Sequence, residues 1–361
     1  MKKIFFINYL LHRPELPNVS GRYDMLSEFY HGDMVAICPS GKTELMLGNF
    51  HFHSIPYYKK KVIHHIAFIF YVILFGLRSH RNRKIDIIVS YDPLICGISG
   101  YLLKLLTRAK FVVEVNGDIV EAGFLTNLNK LKKIKRNMIV GLTKFILNRS
   151  DRIKYLNYDI SRKYSEIIKN DNYEVFLNFV PTYVFRKGPR RFDKYILFVG
   201  FPFYLKGVDI LIKAFKLLSP KFNGFSLKII GYCPDPALYH EMIEDNENIF
   251  IENPVFYDKI IQEFLNCYCF VLPSRSEGMG RVLIEAMASG KPVIGSNVGG
   301  IPYLIEDGIN GYLFEKENVS DLASKLKVLL EDEALTQELG DNAYDYVEKN
   351  LSASIYIQKY K

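Results

Sequence analysis

The sequence predicts an α/β protein built from two doubly wound, Rossmann-like domains that face each other across a cleft. The chain has 361 residues, more than one hydrophobic core usually serves, so two domains are the first expectation. Strand-like and helix-like segments alternate in each half, which is typical of parallel sheets with helices on both faces. A basic segment with Pro and Gly at 181–194 predicts an interdomain linker. We expect domains at 1–185 and 186–361, with the last helix packing back on the first domain.

Short β-branched or aromatic runs predict the strands, and longer apolar-periodic runs predict the helices. In the first half, the predicted strands are 3–10, 34–38, 85–90, 110–115 and 152–156, and the predicted helices are 59–80, 94–108 and 128–149. In the second half, strands 196–200, 226–231, 268–273 and 292–295 alternate with helices 208–218, 258–266 and 281–289. Ligands of such sheets bind beyond the carboxyl ends of the strands, so we expect the functional residues there.

Charge divides unevenly between the two halves. Residues 1–190 carry 30 Lys+Arg against 15 Asp+Glu, a net of +15, while residues 191–361 carry 17 against 24, a net of −7, and together they give +8. A basic first half predicts an anionic surface or ligand. Because no nucleic-acid-binding motif is evident, nucleic acid is disfavoured and an anionic membrane surface is favoured. The five cysteines show neither a paired framework nor metal-ligand spacing, which fits a reducing, cytoplasmic compartment.

Two segments of the first half combine apolar and basic residues. Segment 62–77 is nearly all apolar between basic flanks, but its 16 residues are fewer than the ~20 that span a bilayer, so we expect a buried or interfacial helix. Segment 130–149 combines basic and apolar residues at helical spacing, which suits adsorption to anionic headgroups. The alternative for 130–149 is the solvated face of a core helix. We expect a peripheral position on the inner face of the cell membrane.

The segment 271–295 carries the chemistry and reads as strand, glycine-bearing loop, helix, turn and strand. Gly278 and Gly280 allow the backbone to approach a ligand closely. The amides of Met279, Gly280 and Arg281 open the helix, and such unpaired amides favour oxyanions and sugar hydroxyls.

Two carboxylates of this segment are placed to share one pocket at the strand end. Glu277 lies in the loop and Glu285 about one turn into the helix, whose side chains lean back toward its N-terminus. A carboxylate that accepts two hydrogen bonds is a natural partner for vicinal hydroxyls of a ribose or hexose. The alternative is that Glu285 complements the helix dipole and Glu277 is a solvated loop residue.

With this spacing, Glu277 and Glu285 match the E-x7-E motif, and the chain resembles the family-4 retaining glycosyltransferases, which have the two-domain GT-B fold. Other motifs occur in the same order as in that family: Phe198-Val-Gly200, Lys206-Gly207-Val-Asp-Ile-Leu, Leu227-Lys-Ile-Ile-Gly231, Gly299-Gly300-Ile-Pro302 and Glu306-Asp-Gly308-Ile-Asn-Gly311. The resemblance is specific over residues 190–330 and covers the first half only in outline.

The resemblance implies a role for each of these residues. Lys206 would stabilise the negative charge that grows on the leaving diphosphate, Glu277 would contact the transferred sugar near its anomeric carbon, and Glu285 would hold the nucleotide ribose. The further donor contacts that it implies are Gly200, Ser274, Met279, Gly280 and Arg281.

The same resemblance implies the substrates. The donor would be a nucleotide-diphosphate sugar, and the acceptor would be a glycan or a lipid-linked glycan in cell-surface polysaccharide synthesis. Neither a metal nor another cofactor is expected, because cations and helix termini take over the neutralisation of phosphate.

Two positions depart from the family's pattern in the second half. Phe201 follows Gly200 where the family usually has arginine, and we hypothesise that Arg281 supplies the second positive charge. Tyr303 stands where the family often has glutamate, which puts a contact there in doubt.

The first half departs from the family at its two expected acceptor contacts. The Gly-Gly loop that usually follows the first strand is absent, and Gly21 is its nearest remnant. Asn116 and Asp118 follow a strand where the family places a histidine-containing turn. We expect Asp118 to orient the acceptor hydroxyl and Asn116 and Gly21 to contact the acceptor.

Other functions remain open at this point. A catalytically silent relative in a membrane glycan-assembly complex would bind membranes without donor turnover, and a sugar-nucleotide epimerase would interconvert donors without an acceptor. Separated carboxylates also occur in glycoside hydrolases, but the ordered motifs argue against hydrolysis. A nicotinamide dehydrogenase is disfavoured because no Gly-x-Gly-x-x-Gly follows a first strand.

Overall fold

The computed structural model describes residues 1–10, 14, 16–38, 44–117, 130–186, 191–233, 235–244 and 246–361, and it divides the chain into two units. Unit 1 comprises Met1–Phe179 with Lys359–Lys361, and unit 2 comprises Val180–Gln358. The division falls before the expected boundary at residue 185. The reason is that the 3-10 helix Thr182–Arg186, part of the expected linker, packs against helices of unit 2.

Unit 1 is a mostly parallel sheet with helices on its faces. Its described elements are β1 (Lys2–Leu10), α1 (Pro17–Leu26), β2 (Tyr30–Ile37), β3 (Glu44–Leu47), β4 (Phe50–Ile55), α2 (Lys61–Asn82), β5 (Ile87–Ser90), α3 (Ile95–Thr107), β6 (Lys110–Val115), α4 (Lys130–Leu147), β7 (Arg152–Tyr155), α5 (Tyr158–Ser165) and β8 (Tyr173–Val175). The strand order is β3-β4-β2-β1-β5-β6-β7-β8, and only β3 runs antiparallel to its neighbour. The order reverses direction at β1, so the switch point lies between β1 and β5.

The core of unit 1 lies on both faces of this sheet. Phe5 and Phe6 are adjacent on β1 and point to opposite faces, and both are fully buried. Strands buried on both faces read as continuous apolar runs, which is why β1 shows no polar alternation. Right-handed crossovers place α2, α3, α4 and α5 on one face and α1 on the other. Close packing of α2 on α3 depends on Gly76, where a Cβ would stand 2.5 Å from a methyl group of Leu103.

Three buried charges of unit 1 hold α1 to the sheet. Arg22 of α1 donates to Glu114 of β6 over 2.7 Å, and Lys154 of the neighbouring β7 lies 3.8 Å from the second Glu114 oxygen. Burial alone would raise the pKa of Glu114, but the two cations outweigh burial and lower it. Burial lowers the pKa of Lys154 to about 8. Each of these charges is therefore stable only while its partners stay in place.

Unit 2 contains a second parallel sheet. Its elements are β9 (Tyr195–Val199), α6 (Val208–Leu218), β10 (Ser226–Ile230), α7 (Pro236–Ile243), β11 (Ile249–Glu252), α8 (Tyr257–Asn266), β12 (Cys269–Leu272), α9 (Arg281–Ala288), β13 (Val293–Ser296), β14 (Gly311–Phe314), α10 (Val319–Glu331), α11 (Glu333–Leu351) and α12 (Ala353–Tyr360), the last two residues of which belong to unit 1. The strand order is β11-β10-β9-β12-β13-β14, with every neighbouring pair parallel. The chain moves outward from β9 in one direction and then returns to β12 beside it. The switch point of unit 2 therefore lies between β9 and β12.

Replacing the central carboxylate of the buried cluster should destabilise unit 1. We expect Glu114→Gln to lower the free energy of unfolding by about 3–5 kcal/mol at neutral pH, because it leaves Arg22 and Lys154 buried without their counter-charge. The matched control is Glu174→Gln, which removes an exposed pair with Arg152 and should cost at most about 1 kcal/mol.

The comparison of wild type with Glu114→Gln also gives the sign of the pH dependence of stability. The folded-state pKa of Glu114 is depressed, so its stabilisation is complete above the ordinary glutamate value and is lost as pH falls through the folded-state value. The difference between wild type and Glu114→Gln should therefore narrow in acid. Denaturant unfolding at several pH values measures it, and a difference independent of pH would contradict the assignment.

Candidate active site

Loops from three neighbouring strands meet at the switch point of unit 2. Residues 200–207 follow β9, residues 273–280 follow β12 and residues 297–300 follow β13. Because these strands are adjacent and parallel, the three loops lie at one edge of the sheet. The predicted donor residues fall on the first two loops and on the helix that follows the second.

Lys206 and Glu277 come together at this edge as an ion pair. The Lys206 Nζ lies 2.6 Å from Glu277 Oε2, and both side chains are largely buried. The other carboxylate oxygen accepts hydrogen bonds from the amides of Gly278 at 3.1 Å and Met279 at 3.4 Å. A cation and an anion that can both contact a ligand are thus fixed in one geometry. The residues are 71 positions apart in sequence.

Two glycines allow the loops to touch. Gly207 has φ +70°, and a Cβ on it would stand 1.9 Å from the carbonyl oxygen of Pro273. Gly299 has φ +54°, and its Cβ would stand 1.9 Å from the carbonyl oxygen of Glu277. The amide of Gly300 donates to that same oxygen at 3.1 Å. The backbones on either side of the Glu277 loop therefore fix its position.

Arg275 joins the first two loops and was not singled out from the sequence. Its guanidinium makes a two-point contact with Asp209 at 2.7 and 2.8 Å and donates to the carbonyl of Tyr204 at 2.6 Å. Its Nε donates to Glu317 at 2.8 Å. Hydrogen bonds with Asp209 are the main cause that raises the pKa of Arg275. The side chain therefore fixes the turn that carries Lys206, and no local pattern in the sequence marks it.

Helix α9 begins at the site and presents Arg281 and Glu285 on one side. Gly280 is its N-cap residue, and Met279, just before it, is buried. Arg281 Nε donates to Glu285 Oε1 at 2.9 Å, one turn apart. Burial raises the pKa of Glu285, and the charge of Arg281 opposes that rise. In this structure Arg281 therefore pairs with Glu285. The hypothesis that Arg281 replaces the arginine missing at position 201, where Phe201 stands, stays a prediction.

Gly200 and Ser274 lie at the ends of β9 and β12. The Gly200 amide donates to Ile230 at 3.1 Å, and a Cβ on Gly200 would lie 3.7 Å from Cγ of Lys206. The Ser274 hydroxyl is buried and makes no hydrogen bond with any residue that the structure describes. Both positions border the Lys206–Glu277 pair in sequence and in the sheet, and their donor contacts stay predictions.

The predicted acceptor residues belong to unit 1. The Asn116 side chain donates to the carbonyl of Tyr91 at 3.1 Å and accepts from Lys154 at 3.3 Å, so it borders the buried charge cluster beyond the ends of β5 and β6. Gly21 lies within α1 and not in a loop, because the helix already starts at Pro17. Asp118 lies outside the described residues.

Among the described residues, one group has the character of metal ligands. The ligand atoms of Asp33, His51 and His53 lie within 4.8 Å of one another. However, Asp33 already accepts from Ser79 at 2.5 Å and pairs with Lys3 at 3.2 Å. The group lies on strands β2 and β4 of unit 1, whereas Lys206 and Glu277 belong to unit 2. The expectation that no metal takes part stays a prediction.

Two α/β units with sheet switch points define a class of ligand-binding α/β proteins, and solved structures identify the fold. The chain matches sucrose-phosphate synthase from Thermosynechococcus elongatus with a TM-score of 0.80 over 100% of this chain and 97% of that chain, at 17% identity. It matches Anabaena HepE, solved with UDP and glucose, with a TM-score of 0.74 over 100% and 98%, at 16% identity. The predicted GT-B glycosyltransferase fold is confirmed.

Sequence relatives identify the family. Residues 181–346 match the model of glycosyl transferases group 1. An uncharacterized glycosyltransferase of Methanocaldococcus jannaschii is 30% identical over 308 residues, covering 82% of this chain and 80% of that protein. The N-acetyl-alpha-D-glucosaminyl L-malate synthase of Bacillus anthracis is 25% identical over 78% and 74%. The chain belongs to the group 1 glycosyltransferases.

An alanine at Gly207 should disturb the site through the backbone. Gly207→Ala adds left-handed strain of about 1–2 kcal/mol and a clash with the Pro273 carbonyl, so we expect a clear fall in Tm. Gly224→Ala is the matched control, because a Cβ there meets nothing within 4 Å, and it should change stability by less than about 0.5 kcal/mol. Thermal unfolding compares the two, and equal Tm values would show that the loops do not need this close approach.

Proposed function

We propose that this glycosyltransferase takes a sugar from a nucleoside diphosphate sugar and transfers it with retention of anomeric configuration, as the family-4 enzymes do. The observation that carries the proposal is the ion pair of Lys206 and Glu277 at the switch point of unit 2. Both residues belong to the motif set that resembles that family. Their approach is what a shared sugar-diphosphate site requires.

Lys206 is the group that meets the leaving diphosphate. In this structure Glu277 compensates its charge at 2.6 Å. A diphosphate brings at least two negative charges to the same edge, so it competes with Glu277 for the ammonium group. Charge growing on the leaving group then strengthens the contact with Lys206, which stabilises the transition state more than the ground state.

Glu277 is positioned to accept hydrogen bonds from hydroxyl groups of the transferred sugar. The amides of Gly278 and Met279 hold one of its oxygens, so the carboxylate keeps its orientation when Lys206 turns to the diphosphate. A carboxylate fixed on one side has free acceptor capacity on the other. In the proposed site the sugar lies beside the diphosphate, and the Lys206 ammonium group neutralises phosphate charge in the place of a metal ion.

Glu285 is the proposed ribose ligand. It is buried, and Arg281 is the cation that favours its ionised form. An ionised carboxylate accepts from two vicinal hydroxyls, whereas the protonated acid loses part of that capacity. Donor binding should therefore depend on the Arg281–Glu285 pair.

The relatives support a glycan acceptor. A poly(ribitol-phosphate) alpha-N-acetylglucosaminyltransferase of Staphylococcus aureus is 31% identical over 43% of this chain, and the capsular polysaccharide glycosyltransferase CapM is 32% identical over 42%. HepE, which was solved in complex with UDP-glucose, supports the nucleotide-sugar donor instead. We propose a glycan or lipid-linked glycan acceptor in cell-surface polysaccharide synthesis, at the cytoplasmic face of the membrane. Asn116, Gly21 and Asp118 are its proposed contacts in unit 1.

Donor turnover with site variants tests this function. We expect Lys206→Ala and Glu277→Gln each to lower turnover of UDP-sugars by on the order of a hundredfold to a thousandfold, because the first removes a contact to the charge that develops on the leaving group and the second weakens a contact to the transferred sugar. Lys216→Ala is the matched control, since Lys216 makes an ion pair with Glu244 away from the site. Turnover is followed by nucleotide release, with and without EDTA, across a panel of nucleotide sugars.

The product separates the remaining candidates. Proton NMR of the new linkage should show the donor's anomeric configuration. An inverted product would contradict retention, donor interconversion without an acceptor would indicate an epimerase, and a folded protein that turns over no donor would indicate a silent partner. Loss of turnover on adding EDTA would contradict metal independence.

The pH dependence of donor binding tests the role of Glu285. Because burial raises its pKa, the acid limb of donor affinity should lie above the ordinary glutamate value of about 4.3. Arg281→Ala removes the opposing charge and should move this limb to higher pH, whereas Arg281→Lys should largely preserve it. Calorimetric titration with UDP at several pH values between about 4.5 and about 8 measures this acid limb of donor affinity. An acid limb that does not move in Arg281→Ala would contradict the ribose assignment.

A further inference from the structure

One face of unit 1 exposes large apolar side chains on neighbouring helices. We call it the α2–α3 apolar surface and define it by eight exposed residues: Val62, Ile63, Ile66, Phe70, Leu74, Leu102, Leu105 and Leu106. Ile66 and Phe70 are 64% and 63% exposed. The two helices pack side by side, so these residues lie on adjacent helices and not scattered over the unit. Large apolar side chains exposed together on two packed helices indicate a candidate interaction site.

The spacing on α2 produces one oblique stripe. Val62, Ile66, Phe70 and Leu74 follow one another at intervals of four residues, so each lies next to the following one and the row is inclined by about 26° to the helix axis. From the first to the last, the stripe rises about 18 Å along the axis at 1.5 Å per residue. The stripe therefore runs along the exposed side of the helix, at the surface of the unit.

Cations stand at both ends of the stripe. Lys59 and Lys60 are exposed just before α2, and Arg78 is exposed one turn beyond Leu74. No Asp or Glu occurs between residues 59 and 85. The exposed aromatic residue Tyr57 lies at the same end as the lysines. Exposed apolar residues flanked by cations and an aromatic side chain suit a bilayer interface, where the acyl chains take up the apolar residues and the lipid phosphates pair with the cations.

The opposite side of α2 is part of the core. Phe68 and Val72 are fully buried, and Gly76 contacts Leu103 of α3 closely. By length and composition, the segment Val62–Asn82 could cross a membrane. It is longer than the 16 apolar residues expected from the sequence, because the helix continues through a polar last turn. Crossing would remove these core contacts. The helix can instead lie in the plane of the interface with its outer side in the lipid.

We infer that the α2–α3 apolar surface is an interfacial membrane-docking surface that inserts its side chains below the phosphates of an anionic bilayer. The inference rests on the proposed function, since a lipid-linked acceptor places the enzyme at a membrane. It assigns the apolar contact to α2 and α3 and leaves to the basic start of α4 an electrostatic part, where Lys133, Lys135 and Arg136 are exposed. A second copy of the chain is a poorer occupant, because symmetric pairing brings the same cations together.

A single tryptophan reports insertion directly, because the chain contains none. We expect Phe70→Trp to show a blue-shifted emission on addition of phosphatidylglycerol/phosphatidylcholine vesicles and quenching by brominated acyl chains. Phe256→Trp is the matched control: Phe256 is 78% exposed in unit 2 and should show neither change. No spectral change at position 70, or equal changes at both positions, would overturn the proposal.

Charge insertion into the stripe tests its contribution to binding. Ile66→Glu/Phe70→Glu should lower partition into the same vesicles by about tenfold or more, while Leu217→Glu/Phe256→Glu, at comparably exposed positions of unit 2, should leave it unchanged. Neutralising Lys133, Lys135 and Arg136 together should lower binding at low salt more than at high salt. Equal partition of the two glutamate variants, or a dimer in solution that protects the tryptophan at position 70 from a soluble quencher, would overturn the assignment.

The vesicle measurements need no donor, so they separate this inference from the enzymatic proposal. Ile66→Glu/Phe70→Glu should keep the nucleotide release of wild type with soluble donor in the absence of lipid. Loss of vesicle binding with intact turnover supports the docking surface. Intact vesicle binding in a protein without turnover contradicts only the proposed function, and loss of both in a folded variant contradicts the docking role.

Discussion

The ion pair between Lys206 and Glu277 is the constraint around which unit 2 is arranged. It requires the loops after β9 and β12 to lie side by side, and the sheet order satisfies this because the chain reverses between those strands. It also requires backbones to approach more closely than a Cβ permits, which Gly207 and Gly299 allow. The cost of assembling a cation and an anion at one edge is met in folding, so a ligand finds the groups already oriented.

Much of unit 2 follows from its sequence, and the reason is local. Helix α6 occupies 208–218 as predicted, and β9, β10, β12 and β13 lie within one or two residues of the predicted runs, because buried parallel strands are continuous apolar segments between turns. The pairing of Lys206 with Glu277 could be expected only from ordered motifs. The role of Arg275 could not be predicted from the sequence, since its partner Asp209 is 66 residues away. In the sequence alone, this residue cannot be distinguished from an arginine that is exposed to solvent.

Less of unit 1 could be predicted from its sequence. The antiparallel β3 and its neighbour β4 were not predicted, although buried Phe50 and Phe52 alternate with His51 and His53 on β4 in the period of a strand. The distribution of charge along the chain predicted a basic first half, but not that Lys154 is buried in its core. A buried charge differs from a solvated one only by its neighbours, and those come from distant strands. Sequence patterning reports burial of apolar side chains far better than burial of paired charges.

The geometry of unit 1 joins the docking surface to the proposed acceptor contacts. Helices that follow parallel strands begin at the carboxyl edge of the sheet, so α2 begins at the edge where Asn116 follows β6. The cations Lys59 and Lys60 stand at that same end of the helix. In the proposed docking, the lysine end of the stripe and the proposed acceptor contact Asn116 would therefore lie at the same edge of the sheet. An acceptor carried on a lipid diphosphate would meet both the lysines and this edge. Binding of one anionic lipid surface would then account for the positive charge of the first half.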